Sequence, residues 1–362
     1  MGTVVLTGGG TGGHVYPAIA IGDVLHKRGH TVLYYGDAER LEARVAPQRG
    51  YDFYGIPAPR YPRGSLWKKG WFALRLLAAG WRVRGMLRQH KVDVVLGVGG
   101  YISAPTLLGA TLMGARRIIH EANVVPGAAN RLMARVADTI LLTYEGTRSR
   151  LNSRAPMHLV GVPVNPDILG GTREEAASRY GLDPDVPTVL FVGGSLGAAT
   201  LNALAMACAL RPDREYQVLH LCGRKYHGDV LAELGEVPGG VRVVDYEDRM
   251  MDAYAMADLV VCRTGSSTLG ELCAVGGAGL LIPSANVTDN HQEENARGLE
   301  SVGAGVVLVE RDWDTQAAAL LVEELLSDPA RREELSACAR AQARMDSAML
   351  AADHVEALMG GR

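Results

Sequence analysis

The chain has no C-x-x-C pair. Its five cysteines, Cys208, Cys222, Cys262, Cys273 and Cys338, are odd in number and scattered. That excludes a disulfide framework and offers no zinc-site spacing, and it fits a reducing compartment. Basic excess is missing too: 37 Lys and Arg stand against 40 Asp and Glu, a net charge of -3. A general nucleic-acid binder would be basic overall, so no nucleic-acid partner is expected. No basic leader or cleavage site precedes the first apolar run at residues 4–6, and no targeting segment is expected. Low complexity is absent as well. With 48% hydrophobic and 21% charged residues over 362 positions, disorder is excluded and two domains of ordinary size are expected. One uncharged stretch, residues 94–115, has the 22 residues needed to span a bilayer. It is broken by Gly97, Gly99, Gly100, Pro105, Gly109 and Gly114, and reads as a buried strand, a glycine turn and a buried helix.

What is present is alternation. Apolar runs at residues 4–6, 31–35, 92–98, 117–120 and 139–143 read as strands, with a helix at about 17–28 after the first. The pattern breaks at Gly161-Val-Pro-Val-Asn-Pro166 and restarts at 188–192, 217–222, 241–245, 259–262, 279–283 and 305–309. Three helical segments come last, at about 314–327, 330–343 and 347–359. Strands alternating with helices predict an α/β chain with parallel sheets covered on both faces. The halves echo each other, since each opens with a strand running into glycines: residues 4–13 and 189–198. Two Rossmann-like domains are expected, 1–163 and 164–345, and residues 346–362 form a last helix expected to pack back on the first. A ligand is expected in a cleft between the domains, at the carboxyl ends of the strands.

Gly8, Gly10 and Gly13 satisfy G-x-G-x-x-G, with Asp37 at the end of the next strand. Alone, this is the fingerprint of a dinucleotide-dependent dehydrogenase. Two features argue against NAD: a titratable His14 at the phosphate position, and a second glycine loop, Gly193-Gly-Ser195, with its own hydroxyl. Further on, Arg263-Thr-Gly-Ser-Ser-Thr-Leu-Gly-Glu271 reads as a turn into a helix whose start carries hydroxyls, suited to a phosphate. Ser266 also reads as a plain N-cap. Glu271, one to two turns inside, offers acceptors for ribose hydroxyls. Gln292 and Asn295, at a polar helix start, offer paired donors and acceptors for a sugar.

Taken in order, Gly8-Gly-Gly-Thr-Gly-Gly-His14, Gly99-Gly-Tyr-Ile-Ser103, His120-Glu-Ala-Asn123, Gly193-Gly-Ser195, Arg263-Thr-Gly265 with Glu271, and Asn290-His-Gln292 with Asn295-Ala296 closely resemble the MurG family of peptidoglycan glycosyltransferases. The resemblance covers essentially the whole chain. It implies the two-domain GT-B architecture, and transfer of N-acetylglucosamine from UDP-GlcNAc to the 4-hydroxyl of the muramoyl sugar of lipid I, with inversion, giving lipid II. It implies that Thr11, Gly12 and Gly13 meet the donor sugar and the acceptor diphosphate, and that Asn123 closes the family's H-E-Q-N motif. Ser195 would meet the donor phosphate. The run Ser266, Ser267, Thr268, Leu269, Gly270 and Glu271 would hold diphosphate and ribose. Glu247 falls where backbone reads uracil, and Gln292 matches a glutamine on the N-acetylglucosamine hydroxyls. There are three departures. Ala122 replaces a glutamine, Leu196 replaces a polar residue, and Asn165 stands where an arginine near the diphosphate is usual. They bear on the acceptor, and a different glycolipid or secondary-metabolite acceptor is the alternative.

Inverting transfer needs a base on the acceptor hydroxyl and stabilisation of the departing diphosphate. His14, with an ordinary pKa of about 6.5, suits the first role. Helix starts and hydroxyls suit the second, so no tightly bound cofactor or metal is expected, although a divalent cation can travel with UDP. Residues 53–92 hold no Asp or Glu and nine Lys and Arg, with Trp67, Trp71, Trp81, Leu74, Leu76 and Leu77 among them. That composition suits reversible attachment to an anionic membrane surface, and the resemblance, with its lipid-linked acceptor, implies the cytoplasmic face of the plasma membrane. An ordinary helix burying its aromatics in the core is the competing reading.

Overall fold

The computed structural model describes residues 1–59, 66–194, 196–285, 287, 290–312 and 314–360. The chain forms two compact units, Met1–Asn165 with Arg344–Arg362, and Pro166–Ala343. The division therefore falls two residues away from 163 at the first crossing and two from 345 at the second.

The first unit is built on a parallel sheet of β1 (Thr3–Gly8), β2 (Thr31–Gly36), β3 (Asp52–Gly55), β4 (Val94–Gly99), β5 (Arg116–Glu121), β6 (Thr139–Leu142) and β7 (Met157–Leu159). Their order is β3-β2-β1-β4-β5-β6-β7. The helices are α1 (Gly12–Lys27), α2 (Leu41–Gln48), α3 (Leu66–Gln89), α4 (Ser103–Met113) and α5 (Ala128–Met133). The uncharged stretch is thus β4, a glycine turn and α4. Among the described residues no helix is long and apolar enough to cross a membrane.

The second unit holds α6 (Arg173–Tyr180), β8 (Thr188–Val192), α7 (Ala199–Ala209), β9 (Gln217–Leu221), α8 (His227–Leu234), β10 (Val241–Val244), α9 (Met250–Met256), β11 (Leu259–Cys262), α10 (Ser266–Val275), β12 (Gly279–Leu281), α11 (His291–Glu300), β13 (Val306–Val307), α12 (Thr315–Ser327) and α13 (Pro329–Gln342). Its sheet runs β10-β9-β8-β11-β12-β13, again parallel. The last helix, α14 (Ser347–Gly360), belongs to the first unit and packs on α1. Arg28 bonds both Asp353 and Glu356 across that contact, each at 2.7 Å.

The cores follow from strand alternation. On one face of the first sheet Val4, Leu6, Val94 and Leu96 meet Val15, Ile19 and Leu25 of α1 and Ala351, Ala352 and Val355 of α14. On the other, Val5, Leu33 and Val95 meet Val83 and Leu87 of α3 and Leu107 and Ala110 of α4. The second sheet repeats this. Val189, Phe191 and Val261 face α7 and α12, while Leu190, Val192 and Val260 face α9 and α10. Two edge strands escape the alternation. β3 and β7 are half-exposed and lack the continuous apolar run that a doubly covered strand carries. α1 begins five residues before the periodic pattern does, because Gly12 and Gly13 have poor helix propensity of their own.

Neighbouring strand ends force a close approach. β1 and β4 pair with Gly8 beside Gly99. Gly100, at φ +80°, lies so near that a Cβ there would sit 2.5 Å from the Gly9 carbonyl oxygen. Neither the backbone angle nor the space admits a side chain. Gly100→Ala should therefore lose roughly 2–4 kcal/mol of stability in urea melts. A change within experimental error would mean that the two turns do not touch.

Candidate functional site

In the first unit the glycine loop leads straight into α1. Thr11 is its N-cap residue, no side chain caps the helix, and its first turn holds no acidic residue. This is the positive end of the helix dipole, which favours an anion. Thr11 is exposed, and Gly12, Gly13 and His14 are half-buried. The Thr11 hydroxyl lies 3.4 Å from His14 Nδ1. The other edge of the imidazole rests on the β4 turn: a Cβ on Gly99 would sit 2.8 Å from His14 Cδ2 and 2.9 Å from Nε2. Thus residues 14 and 99 build one surface, which neither motif shows alone.

Beneath it lies a residue that the sequence pattern does not flag. Glu42, on α2, is wholly buried. Its carboxylate accepts the Gly10 N–H at 3.3 Å and the Asp37 N–H at 3.2 Å. A glutamate in a short surface helix gives no sign of pointing inward. Asp37, the acid of the dinucleotide fingerprint, accepts the Tyr101 hydroxyl and the Glu39 N–H. Its carboxylate serves the protein and is not set aside for a ribose.

After β5 the His120-Glu-Ala-Asn123 motif folds around Glu121. Its buried carboxylate accepts from the Asn123 N–H at 3.0 Å, Asn123 Nδ2 at 3.3 Å, the Gly127 N–H at 3.0 Å and Asn130 Nδ2 at 2.9 Å. Burial raises its pKa, and these donors pull it back. Asn123 is therefore aimed by Glu121, a residue absent from the expected site. His120 is fully buried, with Nε2 3.0 Å from the Gly161 carbonyl, and desolvation lowers its pKa to about 4. It is neutral at physiological pH. Ala122 is buried beside them. Asn165 does not join this cluster, because its amide donates to Asp23 at 3.4 Å, about 13 Å along α1 from His14.

In the second unit β11 turns through Arg263-Thr-Gly265 into α10. The N-cap is Gly265, and no side chain caps the helix. Ser266 is accordingly the first helical residue and not the cap that its type suggested. Its Oγ is buried and has no hydrogen-bond partner among the described residues, and an orphaned buried hydroxyl calls for an explanation. The N–H groups of Ser266, Ser267 and Thr268 precede the first helical bond, which runs from the Leu269 N–H to the Gly265 carbonyl at 3.1 Å. Leu269 itself is a core residue with its N–H used, so of the predicted run it has least to offer a ligand. Gly270 and Glu271 are half-buried. Glu271 accepts the Tyr254 hydroxyl at 2.9 Å, and desolvation raises its pKa to about 7.

The remaining predicted residues divide. Glu247 is buried, and its carboxylate is filled by Arg179 at 2.9 Å, the Tyr180 hydroxyl at 2.7 Å and the Arg249 N–H at 2.7 Å; only its backbone can serve a ligand. The Gln292 side-chain oxygen accepts the Ser284 N–H at 2.9 Å, and its carbonyl accepts the Thr264 hydroxyl at 2.8 Å. Asn295, expected on a sugar, is wholly buried and braces the Thr264 carbonyl at 3.3 Å. Ser195 lies outside the described residues. In its loop Gly197, at φ +73°, has the Cys222 carbonyl where a Cβ would stand. Among the described residues no group of three or more His, Cys, Asp or Glu is placed to hold a metal ion.

On α3, Trp67, Trp71 and Trp81 are 87%, 65% and 59% exposed, with Leu74 and Leu77 also outside. The expectation of aromatics buried in the core does not hold. The core face is Leu76, Ala79, Val83 and Leu87. Lys68, Arg75, Arg82 and Arg88 are exposed along the same helix, and Arg75 and Arg84 lie over the Trp71 and Trp81 rings. Arg60, Arg63 and the Lys69 side chain are outside the described residues.

Residues 4–142 match the glycosyltransferase family 28 N-terminal domain, and residues 188–351 match the family 28 C-terminal domain. The chain is 39% identical to a Clavibacter sepedonicus protein, covering 100% of this chain and 98% of that one. It is 37% identical to a Halothermothrix orenii protein, covering 92% of each. Both relatives are named UDP-N-acetylglucosamine--N-acetylmuramyl-(pentapeptide) pyrophosphoryl-undecaprenol N-acetylglucosamine transferase. Among solved structures, Acinetobacter baumannii MurG superposes with a TM-score of 0.75 at 26% identity, over 99% of this chain and 100% of that one.

The raised pKa of Glu271 has a consequence for stability. Between the ordinary value of 4.5 and about 7 the folded protein holds a proton that the unfolded chain has released, so stability falls as pH rises through this window. Glu271→Gln removes that loss. From pH 5 to pH 8 the variant should gain about 1–3 kcal/mol relative to the parent. An equal difference at both pH values would show that the carboxyl ionises normally.

Proposed function

Because the chain belongs to glycosyltransferase family 28, we infer that it transfers N-acetylglucosamine from UDP-GlcNAc to the 4-hydroxyl of the muramoyl sugar of lipid I, giving lipid II in peptidoglycan synthesis. The observation that carries this reading is the buried, unpartnered Ser266 hydroxyl at the uncapped start of α10. The leaving group is a diphosphate, and negative charge grows on it as the glycosidic bond breaks. The dipole at the start of α10 and the Ser266 hydroxyl support binding of such a charge there. Glu271 would accept the ribose hydroxyls, more strongly in its ionised form. The Gln292 amide, fixed by Ser284, would meet the sugar hydroxyls.

Attack by the acceptor oxygen on the anomeric carbon forms the new bond on the opposite face. His14 would take the proton from that hydroxyl, supported by its half-buried place on the Gly99 turn and by the Thr11 hydroxyl near Nδ1. Thr11, Gly12, Gly13 and the Glu121-held Asn123 would contact acceptor and sugar. No resident cofactor is required by this scheme, and a divalent cation would arrive with UDP. The acceptor is a membrane lipid. Exposed tryptophans interleaved with cations on α3 support peripheral attachment at the cytoplasmic face of the membrane.

Turnover of UDP-GlcNAc with a lipid I analogue tests the activity. His14→Ala should retain UDP affinity and lose roughly 100- to 10,000-fold in rate, together with the ionisation on the acidic limb of its pH profile. Near-parental turnover in the variant would remove His14 from the proton transfer. Sedimentation with anionic vesicles should fall with added salt and with Trp67→Ser plus Trp71→Ser. Binding indifferent to both would place the membrane contact elsewhere.

A further inference from the structure

Glu310 lies after β13, at the start of the 3₁₀ turn Glu310–Asp312. Its carboxylate gathers donors from three separate segments at the carboxyl end of the second sheet. Arg263 gives Nη2 at 3.0 Å and Nη1 at 3.2 Å, the Ala285 N–H lies at 3.2 Å, and the Thr200 hydroxyl completes the set. Arg263 Nη1 also reaches the Ile282 carbonyl at 3.3 Å. The Arg263 and Glu310 side chains are 12% and 15% exposed. A two-point, charge-assisted pair this far from water is directional and costly to break from one side. Burial works against the Glu310 charge, but its donors outweigh burial and hold its pKa below the ordinary value.

The three segments are those that the donor needs. Thr200 is in the first turn of α7, directly after the Gly193–Ala198 loop. Arg263 opens the turn that leads into Ser266–Thr268. Ala285 is next to Ser284, whose N–H fixes the Gln292 amide. We propose that Glu310 is a positioning residue of the donor site: without touching the nucleotide, it locks these three loops into the arrangement that receives the diphosphate and the sugar. Arg263 is then a strut, its guanidinium committed to Glu310 and Ile282. This rests on the donor-site reading given above.

The test measures UDP binding by calorimetry and steady-state constants for UDP-GlcNAc, on Glu310→Gln and Glu310→Asp, at a temperature where each is folded by circular dichroism. Glu310→Gln should weaken UDP and raise KM roughly 10-fold, the scale of losing a charge-assisted hydrogen bond, with kcat changed less. Glu310→Asp should restore part of the loss. Thr200→Val removes one arm only, and should weaken UDP by a smaller factor, keeping the proposal open to test if Glu310→Gln does not fold. A lowered Tm with unchanged UDP affinity and KM would make Glu310 merely structural and overturn the proposal. Tighter UDP binding would overturn it too, since Glu310 would then be screening Arg263 from the ligand. Failure of the parent protein to bind UDP would instead sink the donor-site reading itself.

Discussion

Everything functional in this chain depends on strands running parallel. A parallel sheet needs a crossover between every pair of strands, so both faces are covered and all carboxyl ends emerge along one edge. In the first unit that edge brings the loop after β1, which ends at Gly8, together with those after β4 and β5, which end at Gly99 and Glu121. Pairing Gly8 with Gly99 sets His14 on the Gly99 turn and packs Gly100 on Gly9. In the second unit the same rule gathers the loops after β8, β11 and β12, and with them the open start of α10.

Loops gathered in this way still need fixing, and buried carboxylates do it repeatedly. Glu42 holds the glycine loop, Glu121 holds the loop around Asn123, Glu247 holds its own turn against α6, and Glu310 ties three loops. A carboxylate suits this work because its two oxygens accept several donors at once, and ionic donors strengthen the bonds in a partly dry setting. Each such knot is made with the loops' own N–H groups and hydroxyls. The unpartnered Ser266 hydroxyl is the counterpart of this arrangement: the turn is braced by Thr264, Asn295 and Arg263, and Ser266 is left unused.

α3 obeys a different logic. Its inner face is aliphatic and seals one side of the first sheet, whereas its largest apolar side chains stand in water beside cations. A soluble core would have taken tryptophans inward. Their exposure is the feature on which the proposed membrane attachment rests.

The sequence by itself determined the fold class, nearly all the strands of both sheets, and the two glycine turns. These are local properties: an apolar run of strand length, a 3.6-residue period, a glycine where a side chain has no room. It also placed Ser266–Glu271 on a helix start and identified residues 53–92 as unusual. It did not reveal that Gly265 rather than Ser266 caps α10, that Leu269 and Asn295 turn inward, or that Asp37 and Glu247 spend their carboxylates on Tyr101 and Arg179. Nor did it single out Glu42, Glu121 or Glu310. Whether a polar side chain faces a ligand or a neighbouring loop depends on how the chain folds back on itself, within one loop for Glu121 and between distant segments for Glu310, and only the packed structure brings those partners within 3 Å or so.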